Sequence, residues 1–320
     1  MKLSVVIPVK GDTENLARCL HHLRSGIRTP DETIVVDDGS EVPIRVDEDA
    51  VRVIRLDRNR GPSMARNEGA GHASGDVLVF IDADVYVREH TLRETARAFE
   101  EDGEKALVGV FEDHRDYRRF CSDYKNLWMK YSYETCPRRA ALFYTSFAAI
   151  RADVFTEAGG FDVRYDRPST EDTAFGNTLW EMGVRPLIAP HVTVFHNKEY
   201  RLGSLLKTDL VRASDLLKMK LRGSMGKMVD KSRTSVSGGA MLSVLGTLVA
   251  VAAGVIVHPV PGMALLVLAA LLNYRFLVWL HRKRGVLFTV KSMLFMVLDN
   301  LVVCIGLVRG LVAFAAGRRV

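Results

Sequence analysis

Asp76-Val77-Leu78-Val79-Phe80-Ile81-Asp82-Ala83-Asp84 is a short apolar run closed by two spaced acids. The consecutive apolar residues 77–81 read as a strand buried on both faces, the pattern of a parallel sheet covered by helices. Asp82 and Asp84 then fall at the carboxyl end of that strand, where open α/β sheets bind their ligands. Alternation along an extended chain directs both side chains to the same side. Two carboxylates on one spot repel each other unless a cation or a proton lies between them. A hard divalent ion, Mg²⁺ or Mn²⁺, suits the pair, and such ions usually arrive with substrate phosphates. Asp-x-Asp is also common in solvated loops, so the pair by itself leaves both readings open.

The flanking sequence repeats a strand–helix rhythm. Residues 2–9 read as a strand with no signal-peptide pattern ahead of it, and 13–23 as a helix with apolar residues at 16, 20 and 23. Residues 32–36 form a second strand ending in Asp37-Asp38-Gly39-Ser40, 51–56 a third, and 64–73 a helix of small residues. This order predicts a doubly wound, mostly parallel sheet. The usual winding then sets Asp38 next to the Asp82 strand. An acid there suits a base N–H or a ribose hydroxyl, although Asp-Gly-Ser is also an ordinary turn. Pro62 in a first helical turn followed by small residues suits a helix packed close to a sheet. Arg66 on that helix offers a forked cation to a phosphate or a base, or else a surface ion pair.

Residues 113–137 carry Tyr117, Phe120, Tyr124, Trp128, Tyr131 and Tyr133 at helical spacing, for packing against the sheet or a membrane or for a substrate wall. Beyond them come a strand, a short helix from Ala152, Gly159-Gly160-Phe161-Asp162, and a helix after Glu171-Asp172. His196 follows a further strand, as a structural histidine or as a group facing a metal or diphosphate.

With 320 residues, the chain has room for one large α/β domain and something more. Four cysteines show no CxxC pairing, which argues against a zinc site or a disulfide framework. The net charge of +6 gathers beside an apolar tail, so a membrane surface accounts for it better than nucleic acid does. Residues 202–222 place apolar side chains at 202, 205, 206, 210, 213, 217 and 221 on one face with Lys and Arg alongside, as in a helix lying in a membrane interface. Residues 238–257 carry no charge and are long enough to cross a bilayer, and 263–280 return. Lys227, Lys231 and Arg233 precede this hairpin and Arg282, Lys283 and Arg284 follow it. Both ends are therefore expected in the cytoplasm. Residues 286–316, interrupted by Lys291, Asp299, Asn300 and Arg309, read either as an interfacial helix and a third span or as one span with polar residues facing the hairpin. The expected domains are 1–200, an amphipathic helix with a basic linker over 201–235, and a membrane domain over 236–320.

Six short motifs occur in order: Val5-Val6-Ile7-Pro8-Val9, Val36-Asp37-Asp38-Gly39-Ser40, Gly61-Pro62-x-x-Ala65-Arg66-Asn67-x-Gly69-Ala70, Ile81-Asp82-Ala83-Asp84, Gly159-Gly160-Phe161-Asp162 and Glu171-Asp172. Together they resemble the family-2 inverting glycosyltransferases of GT-A fold over residues 2–200, and the tail resembles membrane-anchored bacterial members. The resemblance implies a nucleotide-diphospho-sugar transferase-like sheet followed by C-terminal transmembrane helices. It implies donor contacts at Pro8, Val9, Asp38, Arg66, Asp82 and Ala83. It implies a Mg²⁺ or Mn²⁺ ion at Asp84 with Asp82 and His196, and catalysis by Asp172 as general base with Glu171 orienting the site.

The partners so implied are a nucleoside-diphosphate sugar and a lipid-linked or cell-envelope glycan acceptor, at the inner membrane with the catalytic domain cytoplasmic. Three departures stand out: Val9-Lys10-Gly11 after the first strand, Thr145-Ser146-Phe147-Ala148 in place of a Gly-Asn-x-Ala run, and no Gln-x-x-Arg-Trp after Asp172. The last argues against a processive synthase. Two alternatives stay open: a polyprenyl-phosphate glycosyl transferase of the dolichol-phosphate-sugar synthase type, and a non-catalytic sugar-nucleotide-binding scaffold.

Overall fold

Runs of β-branched and apolar residues form the strands expected of them. The structure, a computed structural model, describes residues 1–48, 50–114, 117, 119–222 and 238–317. The chain divides into two compact units, Met1–Asp116 with Tyr133–Glu199, and Tyr117–Ser132 with Tyr200–Val320.

The first unit runs β1 (Leu3–Val9), α1 (Thr13–Arg24), β2 (Glu32–Asp37), β3 (Val51–Arg55), α2 (Pro62–Gly71), β4 (Val77–Ile81), β5 (Val85–Val87), α3 (Thr91–Glu100) and β6 (Ala106–Phe111). After α4 (Phe120–Thr135) it continues with β7 (Phe147–Arg151), α5 (Ala152–Glu157), α6 (Glu171–Glu181) and β8 (Leu187–His196). The strands form one sheet in the order β3-β2-β1-β4-β7-β6-β8-β5. β1 pairs in parallel with β2 and β4, β2 with β3, and β6 with β8, while β7 and β5 run antiparallel to their neighbours. The sheet is mostly parallel and doubly wound.

One expected adjacency fails. β1 lies between β2 and β4, so Asp38 is not beside the Asp82 strand. The chain winds outward through β2 and β3 and then crosses back to the other side of β1, which puts the reversal of winding at β1 and β4. Ligand crevices form at such a reversal, and Asp82 follows β4 directly.

Close packing explains the small residues of α2. A Cβ on Gly69 would lie 2.4 Å from Val6 Cγ1 and 3.0 Å from Val36 Cγ2, so the helix seats on β1 and β2 only with glycine there. Beneath the site lie Phe80, Phe143, Phe155, Phe161 and Phe175, with Phe161 and Phe175 rings 4.6 Å apart. Each such buried side chain contributes roughly 1.5–3 kcal/mol relative to exposure.

The second unit is helical: the greater part of α4, then α7 (Leu202–Arg222), α8 (Gly238–Ile256), α9 (Pro259–Leu271) and α10 (Tyr274–Ala315). Most of the aromatic stripe of α4 belongs here, because Phe120, Tyr124 and Tyr131 pack on Phe276, Phe288 and Phe295 of α10, whereas Tyr133 packs on Phe111 of β6 in the first unit. α7 docks along α10, where a Cβ on Gly306 or Gly310 would strike the backbone of Leu210 or Ser214. Its buried face holds Leu205 and Ala213 but also Asp209, Ser214, Asp215 and Lys218. The apolar stripe of the sequence is thus only partly the packed face. Asp209 accepts from Lys125 Nζ at 2.5 Å, which satisfies the buried carboxylate.

α8 and α10 are each long and apolar enough to cross a membrane, and α9 is a shorter apolar helix. The expected second span over 263–280 is not one helix. α9 ends at Leu271, and Asn273 takes the N-cap position of a new helix starting at Tyr274, without a side-chain hydrogen bond to it. Asn has a low preference for helix interiors, which suits a break at this point. With 13 residues, α9 is about 20 Å long, short of a bilayer core of about 30 Å. α10 itself breaks at Gly285, whose φ of +80° only glycine adopts readily. Lys227, Lys231 and Arg233 of the expected basic linker lie outside the described residues.

Candidate active site at the carboxyl edge of the sheet

Asp82, Ala83 and Asp84 do not continue β4. The Val85 N–H donates to the Asp82 carbonyl at 3.0 Å, closing a turn that reverses the chain into β5. The same-side expectation from strand alternation therefore does not apply, and the two carboxylates meet different partners.

Asp82 faces α2. Its Oδ1 accepts from Arg66 Nη2 at 2.8 Å, and Arg66 Nη1 reaches Glu171 Oε1 at 3.2 Å. Arg66 is buried, with its guanidinium 5.7 Å from the centre of the Phe161 ring. Burial works against its charge, but Asp82 and Glu171, with Asp172 further off, outweigh that and hold its pKa above the ordinary value. One cation thus gathers the end of β4 and the first turn of α6.

The second oxygen of Glu171 accepts from the Ser169 N–H at 2.8 Å, so both its oxygens are engaged in holding this corner. Asp172, the next residue, is half-buried and accepts locally from the Thr173 N–H at 2.6 Å. Three polar atoms here are buried without a hydrogen-bond partner: Ser63 Oγ, Arg66 Nε and Thr170 Oγ1. Buried polar atoms are normally paired, so a hydrogen-bonding ligand or water fits this corner.

Asp84 faces β8. Val85 stands opposite His196 in the β5–β8 ladder, and the Asn197 N–H donates to the Asp84 carbonyl at 2.8 Å. This register brings His196 Nε2 to 3.7 Å from Asp84 Oδ1, and Lys198 Nζ lies 3.5 Å from Oδ2. The imidazole is buried and stacked on Phe111, ring centres 4.7 Å apart. Asp84 and Asp82 also both act on the buried Cys19 thiol of α1, whose pKa is raised first by burial and then by their charges.

Among the described residues, no three His, Cys, Asp or Glu side chains gather into a metal-binding group by themselves. Asp84 with His196 nevertheless fits a hard divalent ion. Two bonds of roughly 2.0–2.2 Å span a 3.7 Å donor separation, and Mg²⁺ usually takes one or two protein carboxylates and completes its shell with substrate phosphates and water. Asp82 has one oxygen committed to Arg66.

Asp38, at the end of β2, is buried and accepts from the backbone N–H of Arg60 at 2.6 Å and of Gly61 at 3.0 Å. Its N–H in turn donates to the Val9 carbonyl at 2.9 Å, which ties β1 and β2 at this edge. A carboxylate has about four acceptor positions, so Asp38 keeps capacity for a ligand. Pro8 and Val9 end β1, Val9 buried and Pro8 half-buried, and Ala83 is buried in the Asp82 turn.

Two pairings that the sequence did not reveal join the motifs. Asn67 grips the Phe161 backbone twice, donating to its carbonyl and accepting from its N–H, both at 2.8 Å. A Cβ on Gly160 would sit 2.8 Å from Asn67 Oδ1, and one on Gly61 would sit 2.5 Å from the Asp166 backbone. The glycines at 61 and 160 therefore let the 160–170 loop lie against α2. Lys198 was missed as well; its signal is a lone cation two residues past the strand-end histidine.

The mostly parallel, doubly wound sheet with acids following β4 is the arrangement of the GT-A fold. Residues 4–159, just under half of the chain, match the family described as Glycosyl transferase family 2. A pre-mycofactocin glycosyltransferase of Mycobacterium tuberculosis is 26% identical over 253 residues, 75% of this chain and 51% of the relative. The chain thus spans about half the length of that curated relative. A dolichol-phosphate mannosyltransferase of Pyrococcus furiosus is 38% identical over 94 residues, covering 27% of this chain and 26% of the relative. The fold is shared with a mannosyltransferase of Pyrobaculum calidifontis in complex with GDP-Man and Mn²⁺, at a TM-score of 0.60 and 18% identity, over 92% of this chain and 87% of that one.

Proposed function

We propose that the protein is a membrane-anchored inverting glycosyltransferase that moves a sugar from a nucleoside-diphosphate donor to a hydroxyl of a lipid-linked or cell-envelope glycan. The observation that carries this reading is the Arg66 bridge, which joins Asp82 after β4 to Glu171, the residue that opens α6 and precedes Asp172. A donor at the β1–β4 reversal and a base on α6 then share one site.

Each residue has a role in that reading. Asp38, Pro8, Val9 and Ala83 border the nucleoside. Asp84 and His196, with the outer oxygen of Asp82, would hold a Mg²⁺ or Mn²⁺ ion. Such an ion, when bound, supplies Lewis-acid stabilisation of the charge on the departing diphosphate. Lys198 adds a cation at the other carboxylate oxygen of Asp84.

Asp172 takes the proton of the acceptor hydroxyl as its oxygen bonds to the anomeric carbon. The bond from that carbon to the phosphate oxygen breaks, and its electron pair leaves with the diphosphate. A sugar hydroxyl is a poor nucleophile without such a base. A single displacement inverts the anomeric centre. Arg66 and Glu171 position Asp82 and Asp172 and need not touch the reacting atoms.

α8 and α10 serve as the membrane anchor in this reading, at the inner membrane with the first unit cytoplasmic, as the basic residues flanking the apolar stretches favour. A second reading, transfer to a polyprenyl phosphate, is favoured by the 38% identity to the dolichol-phosphate mannosyltransferase. That acceptor is already an anion and needs little general base, so Asp172→Asn would retain transfer to it.

A donor screen by thermal melting tests the reading. With Mn²⁺ present, at least one nucleoside-diphosphate sugar should raise the melting temperature, as any ligand that binds only the folded state does. No shift with any donor would contradict it.

A further inference from the structure

The helical unit holds a cavity of about 310 Å³ that the reading above does not use, lined by α4, by Tyr117 and Arg119 ahead of it, and by α10 around its break at Gly285. Part of its lining is cationic. Arg119, Arg284 and Lys291 line it against a single carboxylate, Asp123. Asp123 accepts from Arg284 Nε at 2.8 Å and Nη2 at 3.0 Å, a two-pronged pair that fixes the guanidinium in place. Lys291 is exposed and has no ion-pair partner among the described residues. The lining is also apolar in part, with Leu287 and with the Phe120 and Phe288 rings 5.1 Å apart.

This division of chemistry falls where α10 itself changes character. Arg282-Lys283-Arg284 precede the break, and Val286-Leu287-Phe288 follow it. Three residues before the basic run, Trp279 packs against Tyr131 and Phe276 and lies under Lys283 Nζ at 5.5 Å. Trp and Tyr beside Lys and Arg mark the headgroup level of a membrane protein. A soluble anion would gain nothing from the phenylalanine wall, and an acyl chain alone would gain nothing from three cations. A molecule with a phosphate at one end and a hydrocarbon chain at the other satisfies both.

Resting on the membrane placement proposed above, we infer that this cavity is a binding site for the headgroup of an anionic phospholipid. Arg119, Arg284 and Lys291 take the phosphate, and the first methylenes of the chains lie on Phe120 and Phe288. Asp123 keeps Arg284 aimed into the cavity and limits the net charge, which suits a singly charged diester.

The test uses the full chain in detergent, exchanged into phosphatidylglycerol–phosphatidylcholine mixtures and read by native mass spectrometry for retained lipid. The wild type should retain phosphatidylglycerol about tenfold over phosphatidylcholine, since each basic residue at a lipid surface favours anionic headgroups. Arg119→Gln with Lys291→Gln should bring that preference close to unity, and Lys291→Arg should keep it. Equal retention in wild type and double variant would overturn the inference, as would loss of bound phosphatidylglycerol to millimolar inorganic phosphate. Flotation on phosphatidylcholine vesicles separates the two proposals: the double variant should float as the wild type does. A wild type that does not float on any vesicle would overturn the membrane placement as well.

Discussion

His196 Nε2 lies 3.7 Å from Asp84 Oδ1, and the cause is the strand register that sets Val85 opposite His196. A buried imidazole and a carboxylate are thereby fixed side by side on rigid backbone, with Lys198 on the other oxygen. His196→Gln should keep the fold and weaken the apparent Mn²⁺ affinity by roughly tenfold or more, the size of effect known for groups that set a metal site. Titration of Mn²⁺ against donor turnover measures it. An unchanged Mn²⁺ requirement would remove His196 from the site.

Arg66 should be the least replaceable cation of the first unit. Arg66→Met leaves Asp82 and Glu171 without their shared counter-charge, and breaking a buried ion pair on one side costs about 3–5 kcal/mol. Asp82 is partly exposed, which places the expected loss toward the lower end. Urea unfolding of the two proteins at pH 7 gives the comparison, and a difference within experimental error would mean that the bridge is not structural.

Asp37 should make the nucleotide edge acid-sensitive. Burial opposes its ionisation, but hydrogen bonds from Ser40 and from the Ser40 and Ile44 N–H groups, with Arg55 nearby, prevail and hold its pKa below the ordinary carboxylate value. A group depressed on folding stabilises the fold above its unfolded pKa, near 3.9, and that contribution is lost as pH falls through the lower folded value. Wild type should therefore lose more stability below about pH 4 than Asp37→Asn does. Denaturation midpoints from pH 3 to pH 7 report the difference, and parallel curves would contradict it.

The 160–170 loop should depend on Gly160. Gly160→Ala places a Cβ 2.8 Å from Asn67 Oδ1 at a φ of +71°, a backbone region that costs about 1–3 kcal/mol for other residues. Because the loop leads to Thr170 and Glu171, donor turnover should fall along with stability. Loss of stability with unchanged turnover would show that the loop and the acids are independent.

The legible part of the structure was the part written in local periodicity. Val77–Ile81 and Glu32–Asp37 announce themselves as buried strands, and the small residues of α2 announce a helix pressed to the sheet. What was hidden depends on contacts remote in sequence. β5 has only three residues, too few for a pattern, yet its pairing with β8 is what brings His196 to Asp84. The Asp82–Val85 turn reads like a strand end until the chain is seen to reverse there. The place of β1 between β2 and β4 is a matter of winding order, which no strand encodes by itself. In the tail, hydropathy ran across Asn273, whereas the backbone treats that residue as a helix start.

Release of nucleoside diphosphate from donor sugars, in the presence of Mn²⁺ and measured on wild type, Asp84→Ala and Asp172→Asn, tests the central claim most directly. The wild type should turn over at least one donor with an alcohol acceptor. Asp172→Asn should lose activity by a factor of about a hundred or more, the usual worth of a general base, and Asp84→Ala should lose it through loss of the ion that stabilises the departing diphosphate. Turnover that survives in both variants, or its absence from the wild type with every donor, would contradict the claim.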